Sequence, residues 1–282
     1  MIDYRLVRKQ KGVKKLETVS EFSCCSLIND ICHVGNGDMM AIIEHRLIKI
    51  QNNKVIDFAG GEKGNVQGGI EHCRFTNPSS IYFVENCQRL YIAQSGGRII
   101  SYIDLNENWS YEIVQSSFDK YFLKTDDTVD CSIWVSAYGN VYWSSPSTKR
   151  IYGCQGYETK IVAGNGRNGM SMFNEPQECS LSPKCITGIS ESQKLFISDS
   201  NGRCIYELTN GKLSILKDSM NIVSNIDKMI CDNNNLWFMD GNKIKYWHRT
   251  GNMHMISEIY CSNCNICSFF INDKYVYVLE TK

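Results

Sequence analysis

Fourteen cysteines and five histidines are the residues in this 282-residue chain with the most obvious chemical potential, and their spacing decides what they could do. The run Cys261-Ser-Asn-Cys264-Asn-Ile-Cys267 has the Cys-x-x-Cys spacing of thiolate metal sites. A zinc site needs four ligands, so such a site would have to recruit Cys25, Cys231, His248 or His254 through space. The histidines form no His-x-His or His-Glu-x-x-His pattern. Asp126, Asp127 and Asp130 make an acidic cluster in a segment that reads as a solvated loop. Of the carboxylate, Asn and His ligands that a channel cation would need, the segments read below as inner strands and their ends offer His33, Glu85 and little else, the remainder being Ser, Thr, Cys, Phe and aliphatics. No serine, histidine and aspartate can be joined into a triad from their order along the chain.

Composition narrows the classes further. Thirty Lys and Arg balance thirty Asp and Glu, and 43% of residues are hydrophobic, as in an ordinary globular chain. That neutrality argues against bulk phosphate binding, so nucleic acid is not a favoured partner. No run of 18 apolar residues is present, and no apolar stretch follows the charged N-terminus. The expectation is a cytoplasmic protein without membrane contact, whose thiols stay reduced and pack as small apolar groups.

The elements that position these residues repeat. A β-rich run, a tight polar turn and a cation beside an aliphatic residue recur in Met40–Ile48, Leu90–Ile100, Val141–Tyr152, Leu195–Tyr206 and Leu236–Ile244. A sixth copy begins at Tyr275–Lys282 and resumes at Asp3–Val7. The marker cations are Arg5, Arg46, Arg98, Arg150, Arg203 and Lys243, spaced 40 to 53 residues apart around a cycle that uses the whole length. Repeats of roughly 40 to 50 residues with several short strands each are propeller blades. The spacing predicts an all-β, six-bladed β-propeller forming one domain over 1–282, its closing blade built from 1–19 and 257–282. Inner strands are expected at Ile31–Val34, Ile81–Val84, Ile133–Ser136, Ile186–Ile189, Met229–Cys231 and Cys267–Ile271. The repeated arginines are expected to hold turns.

Two repeats are nearly the same sentence shifted by 105 residues: Pro78, Leu90, Ile92, Arg98 and Ile100 recur at Pro183, Leu195, Ile197, Arg203 and Ile205. Glycine-rich leaders, Phe58–Gly69 and Val162–Met170, precede them. With its Ala-Gly leader, proline and Leu-Phe-Ile-Ser-Asp-Ser-Asn-Gly-Arg turn, the chain resembles the NHL-repeat family over 162–208 and, more loosely, over 58–105, where Gln94 and Gly97 stand for the pattern's Asp and Asn. The resemblance implies a six-bladed propeller, found in the family mostly as a binding platform and in some relatives as a lactonase-like or lyase-like enzyme.

The functional expectation is a monomeric, non-enzymatic scaffold that needs no cofactor or metal and binds a protein partner. Leaders between blades and the second hairpin turn within each blade emerge on one face, where function concentrates on loops. That face is expected to present Lys63, Arg167, His45, Gln94, Ser95, Ser145, Ser200 and Asn201. The competing readings are an enzyme with a channel metal held partly by His33 and Glu85, and a propeller binding single-stranded RNA through a basic, aromatic face. The cations Arg8, Lys9, Lys11, Lys14 and Lys15 on the closing blade offer an alternative docking rim, or guard an exposed edge.

Overall fold

The computed structural model describes residues 1–12, 15–114, 129–156, 158–169, 175–201, 203–216, 219, 225–232, 235–250, 253–272 and 274–282. Lys14, Asp126 and Asp127, and the side chain of His254, lie outside the described residues. Six antiparallel sheets surround one axis, each ordered from an inner to an outer strand. The inner strands of blades one to six are Ile28–His33, Pro78–Val84, Ile133–Val135, Pro183–Ile189, Ile226–Asp232 and Ile266–Ile271. Each runs from an upper face, which carries the leaders and the second turns, to a lower face, which carries the first and third turns.

Successive blades are held by the alternation of their strands. One face of blade two, Tyr91, Ala93 and Ile100, packs into Ile133, Val135, Trp143 and Tyr152 of blade three, and comparable buried clusters fill other junctions. Seven of the cysteines are buried in these layers, and all fourteen are free thiols. They serve as compact apolar residues where two sheets press together.

Leader two departs from the expected loop. Instead of standing on the upper face, it descends so that Gly68–Gly69 pairs with Trp109–Ser110 and adds a fifth strand to blade two. Gly68 has φ +132°, a backbone conformation that disfavours a side chain, and its Cα lies against the Trp109 indole, about 3.8 Å from where a Cβ would sit. Asn65 and Gln67 both donate to Glu112 of the strand being covered. The glycines therefore let the leader lie flat on an edge that would otherwise stay unpaired.

Blade six is completed by the N-terminus. Tyr275–Thr281 pairs with Ile2–Gln10, which pairs with Leu16–Cys24. The closing blade therefore extends to Cys24, and it begins at Ile266 because Met253–Cys261 is the outer strand of blade five. Across the seam, Arg5 Nε donates to the fully buried Glu280 at 2.8 Å, while Tyr260 at 2.8 Å and Ser262 at 2.5 Å donate to its second oxygen. The charge-assisted bond to Glu280 raises the pKa of Arg5 further. The Tyr4 hydroxyl accepts from Ile28 N at 2.9 Å, tying the seam to blade one.

Removing residues 1–24 strips Glu280 of Arg5 and exposes the buried Val276, Val278 and Leu279 on an unpaired strand. The truncated chain should be insoluble, or melt in a broad transition far below the full chain; a sharp, unshifted melt would refute closure by the N-terminal strands.

Candidate functional site

One column of residues sets the waist of the central channel. At the third residue of five inner strands, and just before the first residue of blade three's, stand Asp30, Ser80, Ser132, Cys185, Lys228 and Ser268, and every one bonds to the next blade around the ring. Asp30 Oδ2 accepts from Ile81 N at 3.0 Å, Ser80 Oγ from Ile133 N at 3.4 Å, and Ser132 Oγ from Ile186 N at 3.2 Å. Cys185 Sγ donates to Ile226 O at 3.3 Å. Lys228 Nζ donates to Ser268 Oγ at 3.0 Å, and Ser268 Oγ donates to Asp30 Oδ1 at 3.0 Å, which closes the circle.

The two charges in this column meet across the axis. Lys228 Nζ lies 2.5 Å from Asp30 Oδ1 and 2.8 Å from Ile31 O. Asp30 also receives Ile31 N at 2.9 Å. A buried carboxylate and ammonium are tolerable only when paired and hydrogen-bonded, and here both conditions are met. Above the waist, Lys184 bonds Asp227 and Asn225. Beside them desolvation raises the pKa of Asp130, opposed by Lys184 and reinforced by Asp227 and Asp30, although this carboxyl reaches solvent at the upper mouth.

Below the waist the channel widens into a cavity of about 480 Å³ that runs to the lower mouth. Its lining is mixed, with isoleucines, Tyr82 and Trp134 beside Cys32, Ser80, Ser132, Thr187 and Cys231. Burial pushes the Tyr82 phenol up to about 12, and Trp134 counteracts this through a side-chain hydrogen bond. His33 stacks on Phe270 with ring centroids 6.0 Å apart, and its Nδ1 accepts Gly35 N at 3.3 Å. Glu85 stands exposed on the first turn of blade two. His33 and Glu85 both reach the lower mouth, but among the described residues no three His, Cys, Asp or Glu side chains converge as a metal site. The same holds for Cys261, Cys264 and Cys267.

The expected docking residues divide. Gln94, Ser95 and Ser145 are buried. Gln94 Oε1 captures Thr76 N at 2.9 Å, Ser95 Oγ donates to Thr76 O at 3.0 Å, and Ser145 Oγ donates to Gly96 O at 3.0 Å. These three hold turns and leaders instead of facing a partner. The role is repeated: Asp199 Oδ2 takes Ser182 N at 2.7 Å and Asp240 Oδ1 takes Asn225 N at 3.0 Å, so in blades two, four and five the end of the second strand clamps the incoming leader. His45 is half-buried, its Nδ1 accepting Asn77 N at 3.4 Å. Lys63, Arg167, Ser200 and Asn201 are exposed. Arg150 fulfils the turn-holding expectation by donating to Thr148 O and Asn165 O. The rim cations have partners: Arg8 and Lys15 meet Glu17, Lys11 meets Asp232, and Lys9 donates to Ile259 O.

No protein-family model and no curated protein matches this sequence. Solved structures match throughout. A virginiamycin B lyase from Staphylococcus aureus aligns with TM-score 0.56 at 12% identity over 98% of this chain and 99% of its own. A protein of unknown function from Bacteroides thetaiotaomicron aligns with TM-score 0.60 at 12% identity over 91% of this chain and 70% of its own. A chain of a nidogen/laminin complex aligns with TM-score 0.57 at 11% identity over 98% and 84%. Their shared feature with this chain is the six-bladed propeller fold.

Two measurements check the energetics of the site. Asp30→Asn and Lys228→Met singly should each destabilise by about 3–5 kcal/mol, because each strands a buried charge, whereas the double variant should recover much of that loss. Equal, additive costs in denaturant melts would show that the two charges do not act as a pair. Desolvation also lifts the thiols of Cys131, Cys185 and Cys231 from 9.0 to about 12. Because the folded thiols hold their protons more tightly than the unfolded ones, this contribution is complete below pH 9 and is lost as pH rises toward 12. Replacing the three by Ala should flatten the fall of melting temperature over that window, and an unchanged slope would remove the thiols as its cause.

Proposed function

We propose that this chain is a non-enzymatic propeller that binds a protein partner on its upper face. The observation that carries the reading is the division of labour on that face. Gln94, Asp199 and Asp240 clamp the leaders from below, which leaves Lys63, Arg167, Ser200 and Asn201 presented to solvent on a rigid base. Functional side chains held on rigid elements lose less conformational entropy on association. Arg167 borders a shallow hollow shared with Asn165, Gln177 and Glu178, and its own N–H is fixed by Asn165 Oδ1 at 2.9 Å.

The waist supports the same reading from the other direction. Its acidic group, Asp30, is neutralised by Lys228 and fully engaged in holding blades together, so it is not poised as a general base. The nidogen/laminin neighbour comes from a protein complex, which makes a partner-binding role compatible with the architecture. The lyase neighbour keeps a second reading in view, an enzyme with a channel cation for which Asp130, Asp227 and Asp30 would be the nearest carboxylates.

The test reverses charge on the exposed pair. Lys63→Glu with Arg167→Glu should abolish capture of the native protein partner and leave the melting temperature nearly unchanged, since exposed substitutions usually cost about 0.5 kcal/mol or less. Capture that survives the double reversal would overturn this choice of face, and a stoichiometric metal lost on Asp227→Asn, found by elemental analysis, would favour the enzyme.

A further inference from the structure

A recess of about 440 Å³ opens between blades three and four, within the range of small-molecule sites. The first and third turns of both blades form its lip, which places it on the lower face and outside the upper-face reading. One glycine shapes its floor. Trp134, Tyr142, Gly153 and Lys160 stand opposite one another across the four strands of blade three. Gly153 has no side chain, and the Tyr142 ring leans over it, two ring carbons lying 3.1 Å from where a Cβ would sit. Trp134 supports the same ring from the other side, with centroids 5.6 Å apart. Beside Tyr142, the half-buried Ile161 and Val162 continue an apolar strip along the outer strand.

The lip is polar and nearly free of charge. Tyr138, Gln155, Gln177, Gln193 and Asn210 are exposed there, and their side chains make no hydrogen bond among the described residues. Each amide carries two N–H donors and a carbonyl acceptor, so the lip offers both roles side by side. The charged lining residues are Lys160 and Glu175, one of each sign. Tyr138 is 71% exposed, the highest value of any aromatic side chain among the described residues. The turns that carry these groups are braced: Ala137 N donates to Ser190 Oγ at 2.8 Å across the blade junction, and Gln193 N donates to Ser190 O at 3.3 Å. Side chains on such a frame are held ready for a ligand.

A matching ligand is uncharged, sets donors beside acceptors, and has an apolar face for a tyrosine ring to cover. A pyranose sugar has all three properties, with hydroxyls around its rim and C–H groups on its faces. A charged ligand would meet one like charge for each opposite one. We propose that the groove between blades three and four binds a short neutral oligosaccharide. One sugar ring lies against Tyr138 and exchanges hydrogen bonds with the amides of Gln155, Gln193 and Asn210. The next extends along Ile161 and Val162 toward Gln177. No bond is made or broken in this step.

Maltotriose, cellotriose and triacetylchitotriose are the probes, each titrated calorimetrically into the full chain at neutral pH. At least one should bind saturably at millimolar concentration, with an affinity indifferent to salt because the ligand has no charge to screen. Tyr138→Ala should weaken that binding about tenfold and Tyr138→Phe should preserve it, since the sugar covers the ring face. Gln155→Ala with Gln177→Ala should also weaken it about tenfold. These positions are exposed, so the melts should stay unchanged. Lys63→Glu with Arg167→Glu on the upper face should leave saccharide binding intact, which keeps this site separate from the partner surface. Failure of all three trisaccharides to bind, an affinity that falls with salt, or binding indifferent to Tyr138→Ala or to the double glutamine variant would each overturn the proposal.

Discussion

The forward bond that each blade makes to the next at the channel waist is the constraint on which the rest of this structure depends. Packing between blades is apolar and non-directional, and alone it would fix neither the height nor the rotation of one sheet against its neighbour. The column Asp30, Ser80, Ser132, Cys185, Lys228 and Ser268 supplies direction, because each side chain must meet a particular backbone or side-chain group of the following blade. Three of these six links are neutral and contribute about 1 kcal/mol each. The charged pair is stronger and less forgiving, which concentrates the specification of the ring at the junctions among blades five, six and one.

That same column determines what the channel can do chemically. With the lysine ammonium held against the aspartate, the axis divides into an upper mouth, where Lys184 is set among Asp130 and Asp227, and a lower chamber of mixed polar and apolar lining. The two faces are consequently different surfaces. Above, clamped leaders carry exposed polar side chains; below, a recess narrows toward the Asp30–Lys228 pair.

The repeat was legible in the sequence because turn chemistry and strand alternation recur at each blade, and the wrap through the termini followed from the spacing of Arg5 and Lys243. The waist was not legible, for a definite reason. Five inner strands carry a register shift near their start, as between Ile28 and Asp30, Ile226 and Lys228, or Ile266 and Ser268. A bulge breaks the two-residue alternation at that point. Pattern reading therefore began the strands at Ile31 and Met229, one residue beyond the aspartate and the lysine. Aligning the blades one position earlier would have exposed a column of short polar residues with one acid and one base. The misplacement of Gln94, Ser95 and Ser145 has a different origin. Turn residues are usually exposed, but the leader of the same blade takes the hydrogen bonds of Gln94 and Ser95, and the turn of blade two takes that of Ser145.

The seam in blade six has a consequence for connectivity. Lys282 N donates to Asp3 O at 2.9 Å, and Thr281 lies opposite Tyr4, so the two ends approach each other as the arms of a hairpin do. The covalent break thus occupies the place of a second turn, such as Gly241–Asn242 in blade five. The six blades form a cycle with one bond missing. A circularly permuted chain, joined across 282 and 1 by a short linker and opened at the blade-five turn, would hold the same sheets and merely move the seam, with the ion pair of Asp240 and Lys245 then tying the new ends as Glu280 and Arg5 tie the present ones.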